Sequence, residues 1–141
     1  RLLLRIGGTE TILSYGVSPD DYRELDFSEL QAVLKSCVPQ AHLDFLSSFE
    51  EAIEVGDYLF VHAGIRPGIS IAEQSPADMR WIRDEFLRHR EGHGKLVVHG
   101  HSVSDDIDIR PNRIGIDTGA YASGRLTAIG LQREERWFLS T

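Results

Sequence analysis

A chain of 141 residues with 41% hydrophobic and 26% charged side chains has the size and composition of one globular domain with an ordinary core. Its 22 acidic residues against 15 basic ones, a formal charge of −7, disfavour a nucleic-acid surface, whose affinity rests on basic phosphate contacts. No apolar run approaches the ~20 residues that cross a bilayer, and the single cysteine, Cys37, excludes an internal disulfide or a thiolate zinc cluster and fits a reducing, cytoplasmic compartment.

The start, Arg1-Leu-Leu-Leu-Arg5, has neither an initiator methionine nor the apolar core and cleavage site of a signal peptide, as expected of a fragment of a longer protein. Residues 1–6 form an apolar segment closed by Gly7-Gly8. Thr9 is placed to cap a short helix over residues 10–15, with Gly16 at the position that ends helices left-handed. Ser18-Pro19-Asp20-Asp21 is another start signal, with proline first and acid in the first turn. Ser28-Glu-Leu-Gln31 has the form of a capping box, and Leu30, Val33, Leu34 and Cys37 follow helical spacing behind it. Pro39 breaks that helix and opens the next, where Leu43, Leu46 and Phe49, with Phe45 beside them, are spaced for one buried face. These helices read as a covering layer without chemistry.

From Glu51 the pattern changes. Residues 52–55, Gly56-Asp57 and residues 58–61 read as a β-hairpin with glycine first in a two-residue turn. After Arg66-Pro67-Gly68, Ser75-Pro76-Ala-Asp78 starts a helix. Met79, Ile82, Phe86 and Leu87 form its apolar stripe, and Gly92 and Gly94 end it, giving one long helix. A strand over residues 96–98 follows, then loops at Asp105-Asp106 and Pro111-Asn112, and a short strand over residues 114–116. The Gly-rich turn from Asp117 to Gly124 leads to a closing hairpin of residues 126–131 and 137–139 around Glu134-Glu135. The whole reads as one mixed α/β unit spanning 1–141.

Several chemistries are absent: there is no G-x-x-x-x-G-K-[ST] phosphate loop, H-E-x-x-H pair, G-x-S-x-G elbow or G-x-G-x-x-G fingerprint. Ser123, in a turn without elbow context, reads as structural, and Cys37 as packing within an amphipathic helix. His42 reads as a packing or hydrogen-bonding residue. His89 and His93 are four apart, the spacing of a helical metal pair, but the glycines around them point to a solvated helix end. His62, His99 and His101 differ, because each ends a buried strand, where open α/β sheets bind ligands. Spacing leaves the three equivalent as metal ligands or loop hydrogen-bonders, with Gly100 able to bend His101 away from His99. Arg83 could clamp a phosphate bidentately or be an ordinary surface arginine. Asp117 could orient a ligand histidine or cap the following turn.

Phe60-Val-His62-Ala-Gly64-Ile-Arg66-Pro67-Gly68, Val97-Val-His99-Gly100-His101-Ser102 and Ile114-Gly-Ile-Asp117-Thr-Gly119-Ala-Tyr121, with Trp81-Ile82-Arg83 between them and the Tyr15-Gly16 turn, resemble the carboxyl-terminal half of bacterial serine/threonine protein phosphatases of the calcineurin-like metallophosphoesterase superfamily. The resemblance runs from about Gly7 to the end. It implies part of a β-sandwich flanked by helices, and a hydrolase with two divalent metal ions at strand ends. Such ions lower the pKa of a bridging water and neutralise charge in an in-line attack on phosphorus. A mixed imidazole and carboxylate site implies transition metals rather than magnesium, and the resemblance implies manganese, with iron or zinc as alternatives.

Carried over, His62 and His101 would ligate one metal and Arg83 would bind substrate phosphate. His99 matches no ligand, and Tyr121 would approach the site. The family's Asp-x-His, Gly-Asp-x-x-Asp-Arg-Gly and Gly-Asn-His-Asp/Glu motifs are not in this chain, nor is the tryptophan expected shortly before the Gly-Gly pair. The amino-terminal strands, the whole of one metal site, the bridging carboxylate and the general-acid histidine would therefore be missing, leaving half a catalytic centre. The resemblance implies a phosphorylated protein or small phosphoester as substrate. A dinucleoside-polyphosphate hydrolase of the same superfamily is the alternative enzyme, and a non-catalytic remnant or interaction module, self-associating through open sheet edges, is the alternative without chemistry.

Overall fold

In a computed structural model, residues 7–141 are described, so the apolar segment expected over residues 1–6 lies outside the described residues. The chain divides into two compact units, Arg1–Phe49 and Glu50–Thr141. No helix among the described residues is long and apolar enough to cross a membrane.

The first unit holds α1 (Gly8–Ser14), α2 (Pro19–Glu24), α3 (Phe27–Cys37) and α4 (Gln40–Ser47). Gly7, not Thr9, caps α1 at φ +93°, while the Thr9 hydroxyl sits 2.8 Å from that of Tyr22. Gly16 ends the turn left-handed at φ +88° as expected, and Ser18 caps α2 by accepting from the Asp21 N–H. The capping box is Asp26-Phe-Ser-Glu29 rather than Ser28-Glu-Leu-Gln31. Asp26 accepts from the Ser28 and Glu29 N–H groups, and Glu29 accepts from the Asp26 N–H. Aspartate also suits the positive end of the helix dipole. Val33, Leu34 and Cys37 pack against a cluster of Ile12, Val17 and Leu30. The expected buried face of α4 is a correction: Leu43, Phe45, Leu46 and Phe49 all stand exposed, at 42–63%.

The second unit is built on a five-stranded mixed sheet in the order β1-β2-β3-β5-β4, from β1 (Ala52–Val55), β2 (Tyr58–Val61), β3 (Leu96–His99), β4 (Asp108–Ile109) and β5 (Arg113–Gly115). The expected hairpin joins β1 to β2, with Gly56 at φ +55°. Strands β2, β3 and β5 run parallel in register, Val61 beside His99 beside Gly115, so all three end on one edge. Leu59, Val61 and Val97 face a core completed by Met79, Ile82 and Phe86. Met79 and Phe86 come from two helices, α5 (Pro76–Trp81) and α6 (Asp84–Leu87), and Ile82 from the break between them, not from the single long helix expected. The stripe Met79–Ile82–Phe86 keeps helical spacing across the break, which conceals it. After α7 (Ala120–Ser123), β6 (Thr127–Gln132) and β7 (Glu135–Ser140) form a separate antiparallel ribbon. Arg136 of β7 donates to the Tyr58 hydroxyl of β2 at 2.8 Å.

Candidate metal centre

The shared edge of β2, β3 and β5 is where the candidate residues gather. Past the last ladder pair, the Gly100 N–H donates to the His62 carbonyl at 2.9 Å, and the Ile116 N–H to the His99 carbonyl at 3.0 Å. The strand ends are thereby held in step up to the residues that carry side chains of interest. The His62 loop is pinned from the other side by the Ala63 N–H, which donates to the Met79 carbonyl at 2.8 Å. Gly64 then lies under Phe86 at φ +153°, where a Cβ would come within 2.3 Å of the ring. The glycine of the His-Ala-Gly run is required by that close approach.

Gly100 separates the two histidines of the second run. His99 stays in the strand, buried among Phe86 and Arg113. Its Nδ1 is 3.1 Å from the Gly100 carbonyl and its Nε2 is 3.3 Å from Arg113 Nη1. A carbonyl only accepts and a guanidinium only donates, so the ring is the neutral Nδ1–H form with both nitrogens engaged. Burial holds it below the usual histidine range, and the neighbouring Arg113 pushes the same way, against the Gly100 hydrogen bond, Asp108 and Asp117. Gly115 leaves room for this ring, since a Cβ there would lie 3.2 Å from its Cε1.

His101 turns the other way. It occupies φ +62°, with the Ser102 N–H closing onto the Gly100 carbonyl at 2.6 Å. That is the positive-φ form of the γ-turn, a strained conformation of the kind that gathers at functional sites. The turn brings His101 Nδ1 to 3.2 Å from His62 Nε2. The two rings share a hydrogen bond at that distance, and their separation also matches the spacing of about 3.0–3.4 Å between two imidazole nitrogens bound to one divalent ion at ~2.0–2.2 Å. Burial lowers the His101 pKa, with Arg83 and His62 pushing the same way and Asp117 opposing. The neutral form that ligates metals is thus favoured at neutral pH.

Arg83 stands at the break between α5 and α6, at φ −133° and ψ −100°. Its neighbours Arg66, Arg80 and Arg88 are each bound to carboxylates. Among the described residues Arg83 makes no such pair, and its charge is felt at His101. Asp117 performs the capping role, accepting from the Gly119 N–H at 3.0 Å, while its charge reaches His101. Tyr121 points into solvent at 90% exposure.

The remaining candidates are structural. His42 Nδ1 is 2.9 Å from the Tyr15 hydroxyl. The Ser123 hydroxyl donates to the Thr118 carbonyl at 2.8 Å. His89 and His93 lie beyond α6 with ring centroids 5.0 Å apart, and His93 is half-buried against Phe86 rather than solvated. Sequence reasoning gave Trp81 no role, yet its indole meets the His101 ring at 5.7 Å and 88°. Its position at the end of a helix opened by Ser75, two residues before Arg83, was the available signal. Among the described residues no group of three or more His, Cys, Asp or Glu side chains could hold a metal ion.

No protein-family model matches the chain, and no curated protein matches it.

Proposed function

We propose that this chain carries part of the active site of a metal-dependent phosphoesterase of the calcineurin-like type, its sheet belonging to that family's β-sandwich. Within that class the reading favoured is a cytoplasmic phosphoprotein phosphatase acting on phosphoserine and phosphothreonine. The observation that carries it is the convergence of His62 Nε2 and His101 Nδ1 at 3.2 Å, from the ends of two parallel strands, beside an arginine with no ion pair among the described residues.

Manganese, or iron or zinc, bound as a pair of divalent ions, would supply an activated water and neutralise charge developing on phosphorus. His62 and His101 would hold two positions of one ion, whose remaining ligands the described residues do not supply. Arg83 donates paired N–H groups to the phosphate oxygens and orients the phosphorus. The lone Cys37, packed in the helical unit, accords with a reducing compartment.

The test is hydrolysis, with added Mn²⁺, of a phosphoserine peptide and of diadenosine tetraphosphate by the protein at its natural length. Phosphate release from the peptide is expected. Cleavage of the dinucleotide alone moves the assignment to the sister hydrolases, and cleavage of neither removes both. The two-ligand set also favours a second reading, a non-catalytic interaction module. The 141-residue chain alone is expected to bind metal weakly with little turnover, and full activity from it would overturn the division of ligands.

A further inference from the structure

We propose that Trp81 is the positioning residue of the metal pair, fixing the ring of His101 in the orientation and tautomer that ligation through Nδ1 needs. The inference rests on the metal reading above. A metal-bound histidine nearly always passes its other ring N–H to a carboxylate, a carbonyl or water, and that partner sets the ring's orientation. With Nδ1 turned to His62, the outward nitrogen of His101 is Nε2, and it is buried with no hydrogen-bond partner. Asp117, whose charge His101 feels, accepts instead from the Gly119 N–H.

Orientation therefore falls to packing. The imidazole has two ring neighbours, that of His62, 5.0 Å away and tilted by 59°, and the indole of Trp81, 5.7 Å away at 88°. A perpendicular pair sets the edge of one ring on the face of the other, an arrangement aromatic rings prefer. Where the imidazole presents its edge to the indole face, its ring N–H would also meet an electron-rich surface in place of an acceptor. The backbone makes that wall firm. Trp81 is the last residue of α5, which is capped at its start by Ser75 and tied at Met79 to the residue after His62. One short helix thus anchors the His62 loop and supplies the wall for His101.

Trp81 is not held by burial. At 57% exposure it contributes little to the core, and with Arg66, Asp78, Arg83 and Glu85 it lines an open groove of about 410 Å³. Its exposed location fits a role at the site better than one in folding.

The test measures Mn²⁺ and Co²⁺ binding by calorimetry in the wild type, Trp81→Ala and Trp81→Phe, at natural chain length, with metal-free melting curves alongside. Trp81→Ala is expected to weaken binding ~10–100-fold, the usual cost of losing such a support, with melting little changed. Trp81→Phe should restore most of the affinity. Trp81→Ala binding as tightly as wild type, or Trp81→Phe binding as poorly as alanine, overturns the inference while leaving the metal reading intact. A wild type that binds neither ion removes both. A second measurement needs no variant: nitrogen NMR of the metal-free protein should show His101 with its proton on Nε2, and a proton on Nδ1 overturns the proposal.

Discussion

The two histidines of Val97-Val-His99-Gly100-His101-Ser102 show how one glycine assigns opposite tasks to like residues. Strand alternation alone would give both rings one face. The γ-turn at His101 instead sends one ring to His62 and leaves the other in the core beside Arg113. His101→Ala should abolish detectable Mn²⁺ binding, whereas His99→Gln should lower stability and leave the metal stoichiometry unchanged. Calorimetry beside melting curves separates the two. Arg83→Lys should raise KM for a phosphopeptide by roughly tenfold or more while metal affinity holds, because a point charge does not reproduce the planar fork. An unchanged KM would remove Arg83 from the site.

At the scale of elements, local chemistry was readable where it was covalently near. Ser18, Ser75, Gly16 and Gly56 do what their positions imply. The capping box slipped by two residues because Asp26-x-x-Glu29 and Ser28-x-x-Gln31 both satisfy the pattern, and the sequence does not rank them. The break at Ile82–Arg83 carries no glycine or proline, and an unbroken apolar period runs across it. The acid pair Asp84-Glu85, suited to a helix start, was the one hint. The exposed face of α4 shows the other limit, since periodicity says which residues share a face but not whether that face is covered. Gly64 offers the sharpest test at this scale. Gly64→Ala must displace the Phe86 ring and should cost about 2–3 kcal/mol in urea unfolding, with loss of Mn²⁺ affinity as the His62 loop moves. A variant as stable as wild type would show that α6 yields easily.

For the molecule as a whole, buried and half-buried imidazoles shape the response to acid. His93, His99 and His101 all have lowered pKa values, with burial the leading cause in each. The unfolded chain therefore takes up protons near the ordinary value of ~6.5, before the folded one does. Stability is full above that pH and declines as pH falls through 6.5 toward the lowered values. A second loss sets in near and below pH 4, where Asp78, held low by its hydrogen bond to Arg66, must be protonated. Melting temperature measured from pH 8 to 3 should show both steps, with the upper one shallower in His93→Asn, and a flat profile between pH 7 and 5 would refute the burial argument. Edge strand β1 presents Ile53 and Val55 to solvent at 53% and 59% exposure, an open template for strand pairing. Val55→Lys is expected to lower any concentration-dependent association seen by sedimentation.

The hydrogen bond from the Gly100 N–H to the His62 carbonyl bears on how the centre would be loaded. Because backbone pairing and a ring-to-ring hydrogen bond, not an ion, bring the two imidazoles together, their spacing would exist before any metal arrived. Zinc fingers, which fold only around their metal, behave in the opposite way. Stripping with EDTA should accordingly leave the circular dichroism spectrum unchanged. Adding metal back should raise the melting temperature only as far as mass action at the measured affinity allows.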